Sequence, residues 1–222
     1  MPVVLDPDAA AVYKAFQDAG RPAYETLTAP EARAYYGQAR FATNPEPPEL
    51  ARVVALAIPA PHGKIPARIY VPKQPRLQNG LSPALVFFHG GGWVIGDLDS
   101  HDVVCRQLAV EGALIVISVD YRLAPEHKFP AAADDAIAAT RWIAANAREL
   151  GIDASRLSIG GDSAGGNLAA VVALTARDGH GPKIAGQVLI YPATDFAMTH
   201  GSHSEPETVS YTHLTLPTIY SV

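Results

Sequence analysis

Two short stretches hold residue types in an order that could do acyl-transfer chemistry. Gly161-Asp162-Ser163-Ala164-Gly165 is a serine flanked by glycines two positions away on each side, placed between a short apolar run, Leu157 to Gly160, and a helical segment. In that context G-x-S-x-G marks a sharp strand-to-helix turn that pushes the serine hydroxyl out of a sheet, and the glycines are needed because a Cβ there would collide with the adjoining strand and helix. A glycine-rich turn with a serine capping a helix would use the same residues. His89-Gly90-Gly91-Gly92 follows directly on a second apolar run, Ala84 to Phe88. Three consecutive glycines let backbone N–H groups turn toward an anion, and the oxygen of a tetrahedral intermediate needs such donors at about 2.7–3.1 Å. The N–H groups of Gly91, Gly92 and Ala164 are therefore expected to form an oxyanion hole. Ala164 adds the favourable end of a helix dipole. Phosphate binding is the weaker reading of the glycines, because neither G-x-G-x-x-G nor G-x-x-x-x-G-K-[ST] is present.

The rest of the chain has to place these two stretches side by side. Its 222 residues are 48% apolar and 18% charged, enough for a buried core, and no apolar run approaches the roughly 20 residues of a membrane-spanning helix. Lys and Arg number 17 against 22 Asp and Glu, a net charge of −5, so no basic field exists to hold a nucleic acid. The single cysteine, Cys105, excludes an internal disulfide and a cysteine-cluster metal site, and it is expected to be a buried, inert thiol. The N-terminus lacks the pattern of a signal peptide, which points to the cytoplasm.

Helices are predicted over Asp6–Ala19 and Pro30–Phe41. The proline-rich stretch Asn44 to Pro48 then acts as a linker. Beyond it the texture alternates: strands at Arg52–Ile58 and Ile65–Val71 as an antiparallel pair, then strand Ala84–Phe88, helix Ser100–Glu111 and strand Leu114–Val119. A helix from Ala131 to Leu150 capped by Gly151 follows, then strand Leu157–Gly160, helix Gly165–Arg177 and strand Ala185–Ile190. This order predicts an α/β fold, a mostly parallel sheet with helices on both faces and its chemistry at the carboxyl ends of the strands.

His89-Gly90-Gly91-Gly92-Trp93, Tyr121-Arg122-Leu123-Ala124-Pro125-Glu126, Phe129-Pro130-Ala131-Ala132 and Gly160-Gly161-Asp162-Ser163-Ala164-Gly165-Gly166-Asn167 together resemble the hormone-sensitive-lipase-like group (family IV) of bacterial carboxylesterases and lipases, over roughly Arg52 to Asp195. The resemblance implies an α/β-hydrolase fold, a cap built partly from the N-terminal helices, and hydrolysis of short- to medium-chain acyl esters. It carries the nucleophile to Ser163 and the oxyanion loop to Gly90, Gly91 and Gly92, and it implies no metal or organic cofactor. Trp93 lines the alcohol or acyl pocket or simply packs. Arg122 and Glu126 are expected to anchor a loop, Asp162 to brace the turn, and His101 and His127 to sit in surface or capping roles. The cap aromatics Tyr13, Phe16, Tyr35 and Tyr36 face either substrate or core.

A serine hydroxyl needs a histidine to take its proton and an acid to hold that histidine. In this family the acid and the histidine follow the serine on further strands, and the residues after Tyr191-Pro192 leave no room for two more βα units. Asp178, Asp195, Glu205, Glu207, His180, His200, His203 and His213 all fall too early in the topology, so the triad Asp and His are expected to lie outside this chain. Val209 to Val222 shows neither strand alternation nor a helical face. The expected organisation is thus a cap segment over 1–48, an incomplete hydrolase core over 49–208 and an anomalous, non-native tail over 209–222. The unpaired sheet edge would be open to a second copy of the chain, giving a homo-oligomer. A non-catalytic binding module for small molecules, and an acyltransferase or deacetylase using the same serine, remain open beside the esterase.

Overall fold

The computed structural model describes residues 6–20, 22 and 24–195. The tail 209–222 and the candidates His200, His203, His213, Glu205 and Glu207 lie outside the described residues. Two helices come first, α1 (Pro7–Asp18) and α2 (Ala29–Thr43), with a single 3₁₀ turn at Tyr24–Thr26 between them. The start of α2 carries the glutamate half of a capping box: the Glu31 carboxylate accepts from both the Thr28 backbone N–H (2.8 Å) and the Thr28 hydroxyl (2.6 Å).

The core follows as β1 (Arg52–Ala60), β2 (Gly63–Val71), β3 (Ser82–Phe88), α3 (Asp102–Gly112), β4 (Ile115–Val119), α4 (Ala131–Ala145), β5 (Ile152–Asp162), α5 (Ala164–Thr175) and β6 (Gly186–Ile190). Among the described residues these six strands form one sheet in the order β1-β2-β4-β3-β5-β6. β1, β2 and β4 pair antiparallel, whereas β4, β3, β5 and β6 run parallel, as an unbroken apolar β3 and β4 require when both faces are covered. Alternation along β3 sends Ala84, Val86 and Phe88 to one face, where they pack with Ala136, Ala139 and Ile143 of α4 and Leu168, Ala169 and Val172 of α5. Leu85 and Phe87 point to the other face, against Cys105 and Ala109 of α3. Cys105 is fully buried, and burial pushes its thiol up to about 12, consistent with an inert side chain.

The largest differences from the sequence expectation lie at the end of α4, the start of β5 and the β1–β2 hairpin. α4 stops at Ala145 rather than Leu150. The Asn146 side-chain amide joins its backbone N–H on the Trp142 carbonyl (2.8 and 3.0 Å), one further turn follows with Leu150 N–H on the Asn146 carbonyl, and Gly151 (φ +75) closes that turn as expected of a capping glycine, its N–H on the Arg148 carbonyl (3.1 Å) and Ile152 N–H on the Ala147 carbonyl (2.8 Å). β5 begins five residues earlier than expected, because the polar Asp153–Arg156 stretch stays extended across a register shift between Ser82 and Ala84. The β1–β2 hairpin is also longer, pairing through to Ala60 and Gly63 around Pro61-His62.

The strand order fixes where a ligand can sit. The chain leaves β3 through α3 on one face and returns through α4 on the other to form β5 beside β3, so the crevice opens at the carboxyl ends of β3 and β5. The register sets Phe88 beside Gly161, and the two glycine motifs begin at those points.

Candidate active site

Ser163 occupies the turn between β5 and α5 with φ +52 and ψ −116, a backbone conformation that side-chain-bearing residues rarely adopt. Neighbouring backbone holds it there: its N–H donates to the Ile190 carbonyl (2.9 Å), and its carbonyl accepts from Asn167 N–H (3.0 Å) and Ala193 N–H (3.1 Å). The Asn167 side chain reinforces this by donating to the Ala193 carbonyl at 2.8 Å, so the segment after β6 forms one wall of the turn. The flanking glycines are required by packing. A Cβ on Gly161 would meet the Phe88 carbonyl, and one on Gly165 would meet the carbonyls of Phe88 and His89.

The loop after β3 is folded by its own backbone. The Gly91 carbonyl accepts from Val94 N–H (3.1 Å) and Ile95 N–H (2.9 Å), with φ of +125 at Gly91, +58 at Gly92 and +58 at Trp93. Among the described residues, no hydrogen bond engages the N–H groups of Gly91, Gly92 or Ala164, or the Ser163 hydroxyl. Unbonded amides beside a strained, unbonded hydroxyl form an arrangement that can receive the oxygen of a carbonyl under attack. Trp93 is partly buried and packs against the core under this loop.

Asp162 joins the two motifs. Its carboxylate accepts from the Gly90 N–H at 2.9 Å, bracing the turn as its position suggests. The His101 ring nitrogen Nε2 lies 3.3 Å from the same oxygen. Burial alone would push the Asp162 carboxyl up, yet His101, the Gly90 amide and His89 outweigh it and hold the group below the usual carboxylate value. Surface or capping roles for His101 are thereby overturned. It stands at the N-cap position of α3, but its side chain makes no cap bond and is only 1% exposed, turned inward beneath the glycine loop. His127 is exposed.

His89 is completely buried, with its ring stacked on Tyr121 at 4.4 Å. Its Nδ1 lies 2.8 Å from the Gly90 carbonyl, which can only accept, so Nδ1 carries the proton and Nε2 does not. Burial, reinforced by His101 5.4 Å away, lowers His89 to about 4 and keeps it neutral near pH 7. Tyr121 O–H donates to the His89 carbonyl at 2.7 Å. Gly96, which sequence reasoning passes over, has φ +91 and lies so close that a Cβ would fall 2.5 Å from both the Gly90 carbonyl oxygen and His89 Nδ1. Its only sequence signal is a glycine four residues past the motif.

The loop after β4 completes the frame. Arg122 fixes it to α4 through Asp135, donating from its backbone N–H (3.0 Å), Nε (2.9 Å) and Nη2 (2.8 Å). Glu126 pairs with Arg33 of α2. Both anchor the loop, as expected. Tyr36 brings α2 to within 6.4 Å of the His101 ring, and Tyr35 stacks edge-on with Tyr24, whereas the Tyr13 and Phe16 side chains lie outside what the structure describes. Among the described residues no group of three or more His, Cys, Asp or Glu side chains could hold a metal ion, and no helix is long and apolar enough to cross a membrane.

Residues 85–220 match the family described as alpha/beta hydrolase fold. Esterase LipI of Mycobacterium tuberculosis (strain ATCC 25618 / H37Rv) is 56% identical over 150 residues, 68% of this chain and 46% of that protein. The ethyl acetate hydrolase of Pseudomonas putida is 42% identical over 203 residues, 86% of this chain and 62% of that protein. Among solved structures, the ester-hydrolase EH1AB1 from the metagenome of Lake Arreo superposes with a TM-score of 0.83 at 43% identity, covering 90% of this chain and 64% of that one. The chain thus spans between about half and two thirds of the length of these relatives.

Proposed function

The chain belongs to the α/β-hydrolase fold family, and from that premise we propose that it carries the nucleophile and oxyanion hole of a serine carboxylesterase acting on short- to medium-chain acyl esters. The observation that carries this reading is the Ser163 hydroxyl on a strained turn, next to a glycine loop whose Gly91 and Gly92 amides are unbonded among the described residues. The names of the relatives support it, since those proteins are called esterase and ethyl acetate hydrolase.

In this reading Ser163 Oγ forms a bond to the ester carbonyl carbon while its proton passes to a histidine base. The carbonyl π electrons move onto oxygen, where the N–H groups of Gly91, Gly92 and Ala164 donate to the resulting oxyanion. Collapse expels the alcohol, which takes the proton back, and water then releases the acid from the acyl-serine by the same steps. The base and its supporting acid lie outside the described residues, none of whose side chains bonds the Ser163 hydroxyl. On this reading the described residues alone would retain only the residual rate, about 10³–10⁴ over water, that an oxyanion hole keeps without its base.

The test is hydrolysis of a short-chain nitrophenyl ester by the full natural gene product and by its Ser163→Ala variant. The variant should lose essentially all turnover. Undiminished activity in it would remove Ser163 from the mechanism.

A further inference from the structure

The glycine loop cannot hold its shape through its own bonds alone. Three successive residues have positive φ, and the third, Trp93, carries a side chain, so its backbone stores strain that outside contacts must offset. Two such contacts come from the described residues. The Trp93 carbonyl accepts from Ala124 N–H at 2.8 Å, and the Val94 carbonyl accepts from Arg33 Nε at 2.7 Å. Arg33 lies on α2, 61 residues earlier in the chain.

The same guanidinium donates from Nη2 to the Ala124 carbonyl (2.8 Å) and holds Glu126 with both Nη atoms (2.9 and 2.6 Å). Arg33 therefore spans the loop after β3 and the loop after β4, using the planar fork of donors that a lysine lacks. Around it, Ala29 at the start of α2 packs with Val94, Ala124 and Ile95 in a small apolar cluster. Ala29, Ala32 and Arg33 follow helical spacing, so one face of α2 makes this contact. A half-exposed Arg–Glu pair alone would contribute little and do no more than tie down a surface helix. The two backbone carbonyls distinguish this one. The Val94 carbonyl shares its peptide plane with the Ile95 N–H, which donates to the Gly91 carbonyl, so a shift of that peptide rotates the Gly91–Gly92 peptide and with it the Gly92 N–H.

We propose that Arg33 is a positioning residue for the oxyanion loop: α2 acts as a strut that sets the Gly91–Gly92 peptide, and so the direction of the Gly92 N–H among the loop amides, in addition to any covering role over the site. This rests on the reading of those amides as oxyanion donors. The strut acts on a group engaged chiefly in the transition state, so its loss lowers kcat and leaves KM nearly unchanged.

The experiment compares R33M, R33K and E126Q in the full natural gene product, with kcat and KM measured on a short-chain ester and amide hydrogen exchange followed at Val94 and Ile95, whose N–H groups close the loop on the Gly91 carbonyl. R33M keeps the aliphatic stem and removes every donor. It should lower kcat about tenfold or more, a fraction of the roughly 10²–10³ lost with a whole oxyanion donor. KM should stay within about twofold, and exchange at Val94 and Ile95 should speed up about tenfold or more while β3 stays protected. R33K, reaching one carbonyl at best, should fall between R33M and the unaltered protein. E126Q should lose least, because the bonds to Val94 and Ala124 survive. A kcat for R33M within twofold of the unaltered protein, a loss carried by KM alone, or unchanged exchange at Val94 and Ile95 would each overturn the proposal. If R33M fails to fold, equal kcat in R33K and E126Q does the same. An unaltered protein that cleaves no ester defeats the esterase reading instead, and the exchange comparison still decides the strut.

Discussion

Gly165→Ala tests whether the site depends on close backbone approach between the two motifs. A Cβ at this position would fall 2.5 Å from the His89 carbonyl oxygen and closer still to that of Phe88, inside the 3.0 Å that real Cβ atoms essentially never cross. Both obstacles are backbone at the end of β3, a strand hydrogen-bonded on both sides and buried from Ala84 to Phe88, so neither can swing away as a side chain would. The start of α5 has to retreat by an amount on the order of 1 Å, and overpacking of this kind costs about 1–3 kcal/mol. The helix-propensity gain of alanine, at most about 1 kcal/mol, offsets only part of that. For a domain of this size, each kcal/mol moves the thermal midpoint by about 2–4 °C, so a drop of about 5 °C is expected by calorimetry. Activity should suffer more than stability. Ala164 is the first residue of α5 and carries its N–H along, and a misplacement of about 1 Å can cost about 10²-fold in rate. A variant with its midpoint within about 1 °C and its kcat within about threefold of the unaltered protein would refute the close approach.

Gly37→Ala is the opposite case. Gly37 lies inside α2 with nothing within 4 Å of the place a methyl group would take and no positive φ, so alanine should stabilise the protein by about 0.5–1 kcal/mol, read as a higher urea midpoint; a lower midpoint would contradict the helix geometry. Acid should weaken the fold through His89, whose folded value is lowered from 6.5 to about 4 by burial and by His101. Between those values the unfolded chain binds the proton and the folded one does not, so this contribution is whole above pH 6.5 and is lost as pH falls toward 4. At about 1.4 kcal/mol per pH unit it amounts to roughly 3 kcal/mol. His89→Asn removes the titrating ring and should flatten that part of the stability–pH curve, while an unchanged slope would place the titration elsewhere.

What is legible in the sequence is what depends on neighbours close in the chain. The apolar runs of β3 and β4 need both faces covered, and the two glycine motifs carry their backbone requirement within five residues. The end of α4 is misread because Ala144, Ala147 and Leu150 continue a helical period past the point where Asn146 turns its own amide onto the Trp142 carbonyl. His101 is misjudged for a related reason. Its place beside a helix start suggests a cap, and only the fold brings it under Asp162, which follows it by 61 residues. Arg33 has no local signal, since an arginine at an intermediate position on a helix face looks like any solvated charge until the loops it bridges come into register.

The proposed catalytic donors are backbone amides, and a side chain cannot be substituted to aim them; their direction is set by whatever holds the peptide planes. Around the glycine loop those holds come from separate parts of the chain: Asp162 on Gly90, Ala124 on Trp93 and Arg33 on Val94. The first has a particular consequence. Asp162 is the residue immediately before Ser163, so one carboxylate fixes the nucleophile's turn and the entry to the oxyanion loop together. Relative motion of β3 and β5 therefore strains this bond before it separates hydroxyl from donors. Keeping the carboxylate ionised in a largely buried setting is what makes the bond strong, and that is the work of His101 and the Gly90 amide against the cost of burial. The buried cluster under the site thus holds the spacing between nucleophile and donors without touching either.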